Sequence, residues 1–245
     1  MRYAVLSDVH GNLHALEAVL DHLQEVAPDR IVFLGDAVGY GAFPNECVAK
    51  IQAVAEVALM GNHDYAVLNP AERTVFNPYA REAIEWTDRQ LNPEARQYLA
   101  QRPLTATLEP GVCAVHASPH NPLEWLYIFT PAQAQVQFRY VEGWLCFFGH
   151  THLPVVYRET QGPEAEVLLT GEGSLTLNRK ERYLINPGSV GQPRDRDPRA
   201  SFLLVDTDTG HLEIRRLAYP IAQAQEAILR AGLPPFLAER LAIGY

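Results

Sequence analysis

Residues able to hold metal ions recur in five short motifs between Asp8 and His152. They are Asp8-Val9-His10-Gly11-Asn12, Gly35-Asp36, Gly61-Asn62-His63-Asp64, a lone His116, and Gly149-His150-Thr151-His152. Imidazole and carboxylate donors mixed in this way suit manganese, iron, zinc, cobalt or nickel. They argue against calcium, which takes oxygen alone. Two such cations a few ångströms apart repel each other, so a carboxylate and a hydroxide are needed between them, and Asp36 is the natural bridge. Asn62 supports the same chemistry, because a neutral amide oxygen limits the negative charge and leaves the ions strong Lewis acids. Such a pair lowers the pKa of bound water toward neutrality and clamps both ends of an in-line displacement.

The elements that must position these residues are legible around them. Apolar runs at 3–6, 31–34, 57–60 and 145–148 each lead directly into a motif, and His116 ends the run 112–115. Short apolar runs bounded by glycine and turns read as buried strands. Each motif therefore sits at a strand end, where ligands bind in open α/β sheets. Residues 12–26 carry a helical stripe of Leu13, Leu16, Val19, Leu20 and Leu23. With the strands on either side they predict a βαβ unit. A shorter helix is predicted over 45–53, and two helices over 80–101, broken at Pro93. Strands then dominate, at 104–108, 112–115, 145–148, 155–157, 166–169, 174–177, 183–185, 201–205 and 212–216, before a helical tail at 223–231. This order predicts an α/β chain built as a two-sheet β-sandwich flanked by helices. Because the candidate ligands span so much of the chain, 1–245 is expected to form one domain.

The ordered set D-x-H, G-D, G-N-H-D, lone His and G-H-x-H resembles the calcineurin-like metallophosphoesterases. The small bacterial and archaeal phosphodiesterase-like branch fits best, since its members also carry Ile185-Asn186-Pro187-Gly188-Ser189 after the last histidine motif. The resemblance implies a four-layer αββα fold and hydrolysis of phosphodiester or phosphomonoester bonds in small substrates, nucleotides among them. The attacking group would be a hydroxide between two divalent ions, manganese first among them. Carried over by position, Asp8, His10 and His152 complete one metal site, Asn62, His116 and His150 the other, and Asp36 bridges. The resemblance further makes His63 the general acid facing the leaving oxygen, held through a hydrogen bond that its imidazole donates to Asp64. Such a partner would raise the imidazole pKa. The same two residues also suit the N-terminal cap of a short helical segment at 65–68. Two other functions stay open: a dinucleoside polyphosphate hydrolase, and a metal-binding scaffold without turnover, as in a retromer subunit of this fold.

Three further residues are candidates for substrate contact. Asn12 suits a phosphate oxygen and equally suits the cap of the helix that begins there. Tyr40 stands where the superfamily's protein Ser/Thr phosphatases place a phosphate-gripping arginine, which disfavours that activity; the tyrosine lines an aromatic pocket or anchors its loop. Arg194, in the polar turn-rich segment 191–197, can grip a phosphoryl group bidentately or form a surface ion pair with Asp195 or Asp197. His120 lies on a proline-flanked loop near His116 and is a lesser candidate. His14, His22 and His211 receive no role.

Composition bounds the rest. The 245 residues are 47% hydrophobic and 20% charged with a net charge of −9 and no acidic cluster. That balance disfavours duplex nucleic acid as a stable partner, which needs a basic face. A small anionic substrate remains compatible, because metal ions supply local positive charge. Cys47, Cys113 and Cys146 are isolated and read as buried thiols rather than a disulfide framework. No secretory signal and no membrane-spanning run is apparent, so a cytoplasmic location without membrane attachment is expected. Homo-oligomerisation is left open.

Overall fold

In the strand Arg2–Leu6 (β1), Ala4 and Leu6 pack with the helices while Tyr3 and Val5 pack between two sheets. Alternate residues of a strand point to opposite faces, so a strand buried on both sides reads as a continuous apolar run. That is why the first run predicted correctly.

The computed structural model describes residues 1–245. After β1 come α1 (Leu13–Val26), β2 (Arg30–Phe33), α2 (Pro44–Val54), β3 (Val57–Ala58) and α3 (Asn62–Leu68). Next are α4 (Pro78–Gln90), α5 (Pro93–Ala100), β4 (Thr105–Glu109), β5 (Val112–Val115) and α6 (Pro131–Gln137). Strands then follow as β6 (Leu145–Phe147), β7 (Val155–Arg158), β8 (Glu166–Thr170), β9 (Gly173–Thr176), β10 (Tyr183–Asn186), β11 (Ala200–Asp206) and β12 (His211–Leu217). Helices α7 (Ile221–Arg230) and α8 (Pro235–Glu239) close the chain.

The strands form two six-stranded sheets, ordered β3-β2-β1-β11-β12-β9 and β4-β5-β6-β10-β7-β8. Tyr3, Val5, Leu203, Phe147 and Ile185 fill the space between them. Ala4, Leu6, Phe33 and Phe202 face α1, α2, α4 and α7 on one outer side. Cys146, Phe148 and Leu184 face Ala134 of α6 and Phe138 on the other. The result is the expected four-layer αββα sandwich. The parallel neighbours β1, β2 and β3 in one sheet, and β5, β6 and β10 in the other, bring their carboxyl ends to one edge.

Every predicted strand is present within a residue or two, although β3 pairs only over Val57–Ala58. The short helices α6 and α8 were not predicted. Each begins with a proline, and they span 7 and 5 residues respectively, too short to display a 3.6-residue period. No helix is long and apolar enough to cross a membrane.

Candidate metal centre

The five motifs converge at that common sheet edge, and seven side chains meet there almost wholly buried: Asp8, His10, Asp36, Asn62, His116, His150 and His152. Five of them take left-handed backbone conformations, with φ of 55° at Asp8, 50° at His10, 61° at Asp36, 65° at His150 and 62° at His152. Non-glycine residues visit this region rarely and at a cost that the surrounding structure must offset. Here each tight turn swings a side chain off the strand end toward the common centre. The glycines in front of the ligands make room: a Cβ on Gly61 would lie 2.0 Å from Asp36 Oδ1, and one on Gly149 2.0 Å from Ser7 Oγ.

Backbone contacts orient every imidazole. His10 Nδ1 donates to Val38 O at 3.0 Å, His116 Nδ1 to Leu34 O at 3.1 Å, and His150 Nε2 to Trp125 O at 2.9 Å. His152 Nδ1 donates to Gln192 O. A carbonyl can only accept, so those nitrogens carry the hydrogen and the opposite nitrogen of each neutral ring presents a lone pair. His10 Nε2 and His152 Nε2 thus face each other at 3.1 Å, and His116 Nε2 faces the Asn62 amide oxygen at 3.2 Å. Two lone pairs at that range repel unless a proton or a metal ion sits between them. Donors bound to one ion at about 2.0–2.2 Å would stand roughly 3–3.5 Å apart, as these do.

The carboxylates follow the same plan. Asp8 Oδ2 accepts from His150 N–H at 3.1 Å, while Asp8 Oδ1 is buried without a hydrogen-bond partner, 3.3 Å from His152 Nε2. Asp36 Oδ1 accepts from His63 N–H at 2.8 Å, and Asp36 Oδ2 lies 3.5 Å from both His10 Nε2 and His116 Nε2. One oxygen fixes the group and the other faces the centre. Asp36 is the one carboxylate equidistant from the two histidine sets, as a bridge must be.

The electrostatics agree. Burial pushes the Asp36 carboxyl up, but the imidazoles of His116 and His63 outweigh it and hold the group well below the usual carboxylate range. Burial likewise raises Asp8, yet His152 and His116 bring it below its ordinary value. Burial lowers His116, but the Asp36 charge more than offsets this and lifts it to about 9. A proton there is favoured for the same reason a metal cation would be. Desolvation dominates at His150, dragged down to about 3, and at His152, also lowered, so both keep a lone pair for a metal.

The pair His63–Asp64 departs from expectation. Asp64 makes no hydrogen bond to His63. Its carboxylate accepts from the backbone N–H groups of Asp36 at 2.9 Å, Gly61 at 3.1 Å and Val38 at 3.2 Å. It caps α3 and ties the two ligand loops together. Burial and the nearby Asp36 charge push Asp64 up to about 7, with the N–H groups of Gly61 and Val38 pulling the other way. The Nδ1 atom of His63 is buried without a partner, against Gly39. Desolvation drags this imidazole down to about 4, opposite to the expected rise. Asp64→Ala should therefore strand three buried N–H groups and cost about 3–9 kcal/mol of stability, at roughly 1–3 kcal/mol per group. Urea denaturation checks this; a loss no larger than that of His63→Ala would mean Asp64 serves only its neighbour.

Two substrate candidates reach the cavity beside the centre, which has a volume of about 410 Å³. The Tyr40 ring stands 4.7 Å from that of His10 and 4.5 Å from that of His63. Arg194 lines the cavity with its guanidinium bonded only to Gln192 Oε1; Asp195 pairs with Arg216 and Asp197 with Arg199. The ion-pair alternative for Arg194 is thereby set aside. Asn12 is corrected: its Oδ1 caps α1 at Ala15 N and its Nδ2 donates to Gly191 O, so neither atom is free for phosphate. His120 stacks on Tyr140 and lies outside the cavity.

The stretch after the last histidine motif proves to be a brace. Asn186 Nδ2 donates to Gly149 O and Thr151 Oγ1, and Ser189 Oγ to Asp8 O. Phe76, Trp125 and Tyr127 also line the cavity and escaped the sequence reading. The aromatic richness of 125–129 was visible, but nothing in the chain said which way it faced.

Comparison with known proteins shows the family. The model of the calcineurin-like phosphoesterase superfamily domain matches residues 1–210. The uncharacterised protein MJ0912 of Methanocaldococcus jannaschii is 41% identical over 98% of this chain and 97% of its own length. The phosphodiesterase YfcE of Escherichia coli K12 is 26% identical over 85% of this chain and 89% of its own. The crystal structure of a metallophosphoesterase from Sphaerobacter thermophilus superposes with a TM-score of 0.88 at 40% identity, covering 100% of this chain and 99% of that one. This chain belongs to the calcineurin-like phosphoesterase superfamily and is a metal-dependent phosphoester hydrolase.

Proposed function

We propose that this hydrolase is a dinuclear enzyme acting on phosphodiester or phosphomonoester bonds of small substrates, diesters foremost. The observation that carries the reading is the set of buried imidazole, carboxylate and amide donors converging around Asp36 Oδ2. Asp8, His10 and His152 form one half of that set and Asn62, His116 and His150 the other. Two divalent cations held between them, manganese foremost, would supply an activated water and charge stabilisation for an in-line displacement. The name of the YfcE relative supports diesters. Arg194 meets a phosphoryl oxygen at the open side of the cavity, where a planar guanidinium can make two parallel bonds. His63 reaches the same cavity from α3 and donates a proton to the departing oxygen. Burial outweighs the Asp36 charge and holds its pKa low, and the negative charge of a bound phosphate would raise it toward the proton-donating form. Tyr40 shields both His10 and His63 from bulk water.

The test is metal removal followed by a substrate panel. EDTA treatment should abolish release of nitrophenol from bis(p-nitrophenyl) phosphate, and manganese should restore it. A metal-loaded protein inert toward mono-, di- and pyrophosphate esters would overturn the proposal and leave a binding scaffold.

A further inference from the structure

Val112 and Ala114 of β5, with Leu145 and Phe147 of β6, fill the space between the two sheets. The residues between them point the other way, toward the outer layer, and they are Cys113 and Cys146. The two strands run parallel, and Cys113 stands directly opposite Cys146 in their register. Neighbouring strands lie about 4.7–4.9 Å apart, inside the span of about 4.4–6.8 Å between Cα atoms that a disulfide bridges. The thiols already touch. Their hydrogen bond lowers the pKa of Cys113, while the same contact and burial push Cys146 well above the usual thiol range. Both line a surface cavity of about 620 Å³, together with Thr107, Tyr140 and Glu142. Cys146 is buried and Cys113 only half-buried, so one sulfur meets solvent and the other lies behind it. Cys47 belongs to a different core, against α2, and has no such neighbour.

Packing alone would be served by any small apolar residue at either position. Two thiols face to face at a cavity offer a chemistry that packing does not use. From this geometry we infer that Cys113 and Cys146 are a site of reversible oxidation, closed to a disulfide by a hydroperoxide. Cys113, as the thiolate, attacks one peroxide oxygen and the O–O bond breaks. The departing oxygen leaves as alcohol or water with the proton that Cys113 gave up, and Cys113 becomes a sulfenic acid. The Cys146 sulfur then attacks the Cys113 sulfur. The S–S bond forms, the S–O bond breaks, and the hydroxyl leaves as water with the Cys146 proton. A pair of electrons passes from the sulfurs to the peroxide, and no other reactant is consumed. The bridge ties together the strands that lead to His116 and His150, whose ends are already joined by the bond from Gly149 N–H to His116 O at 2.7 Å.

Hydrogen peroxide is the probe, applied to the folded full chain and removed with catalase before denaturation and labelling with iodoacetamide. Untreated protein should label at all three cysteines, and oxidised protein at Cys47 alone. Its intact mass before labelling should be lower by a pair of hydrogen atoms. Proteolysis should recover the Cys113 and Cys146 peptides linked, and dithiothreitol should restore all three labels. Cys146→Ser removes the second sulfur, so dimedone should trap a sulfenic acid at Cys113; Cys113→Ser should leave Cys146 unoxidised. Should either variant fail to fold, the thiol count of the unaltered chain still decides. Three labelled thiols after peroxide, or a sulfinic acid at Cys113 without a bridge, overturns the inference and leaves the pair as packing. A disulfide-linked dimer on a non-reducing gel overturns it too, because the sulfurs would then have closed between chains.

Discussion

Asp36→Asn should lose at least one metal ion per chain and about three orders of magnitude in phosphodiester hydrolysis, while the fold survives. The loss follows from the position of Oδ2, 3.5 Å from one histidine of each half of the centre. An amide at that point removes the negative charge that screens two cations from each other. Three orders of magnitude correspond to about 4 kcal/mol, within the several kcal/mol a metal site lends to transition-state charge. The fold should persist because Asp36 sits at φ 61°, a conformation asparagine tolerates well, and an amide oxygen can still accept from His63 N–H. Metal analysis together with circular dichroism measures both halves of the expectation. Full metal occupancy with normal turnover would remove Asp36 from the centre.

His63→Ala should separate the proton donor from the metal ligands. The variant is expected to retain its metals and to lose about two to four orders of magnitude on alkyl or nucleoside leaving groups, the usual contribution of a general acid. Nitrophenolate departs without much protonation, so its esters should lose far less. The contrast matters because His63 lies close enough to His10 and Asp36 to be mistaken for a ligand on geometry alone. Its Nδ1 is buried against Gly39 with no acceptor, so the nitrogen available for chemistry is Nε2 on the cavity side. Equal losses for both ester types would mean that His63 positions substrate or metal, and the acid assignment would fall.

Much of this was readable in advance because the chemistry is local in sequence. Each metal ligand stands within a few residues of a strand end, and strands buried on both faces announce themselves as apolar runs. Five strand ends that lead into Asp, His or Asn are therefore visible without coordinates. The hydrogen-bond roles were not visible in the same way. The family resemblance paired Asp64 with His63, whereas residues next to each other on a helix point in different directions. The carboxylate turned instead to three N–H groups brought by two other loops. Asn12 misled for the opposite reason: its local option, the helix cap, was the one taken. The structure brings Arg194 into the cavity because Asp195 and Asp197 found other arginines, Arg216 and Arg199, in the fold.

By itself, the sequence determined the family, the αββα order of layers and the candidate metal-binding side chains. Those properties rest on residue type and on periods of two and 3.6, which any stretch of chain displays. Only the tertiary structure decided which nitrogen of each imidazole faces the centre, since the choice depends on carbonyls of Leu34, Val38, Trp125 and Gln192 supplied from distant loops. It likewise decided that burial lowers His63 rather than raising it, and that an aromatic column leads out from His150. Desolvation and ring stacking are set by what closes over a residue from elsewhere in the chain, and no local pattern records that.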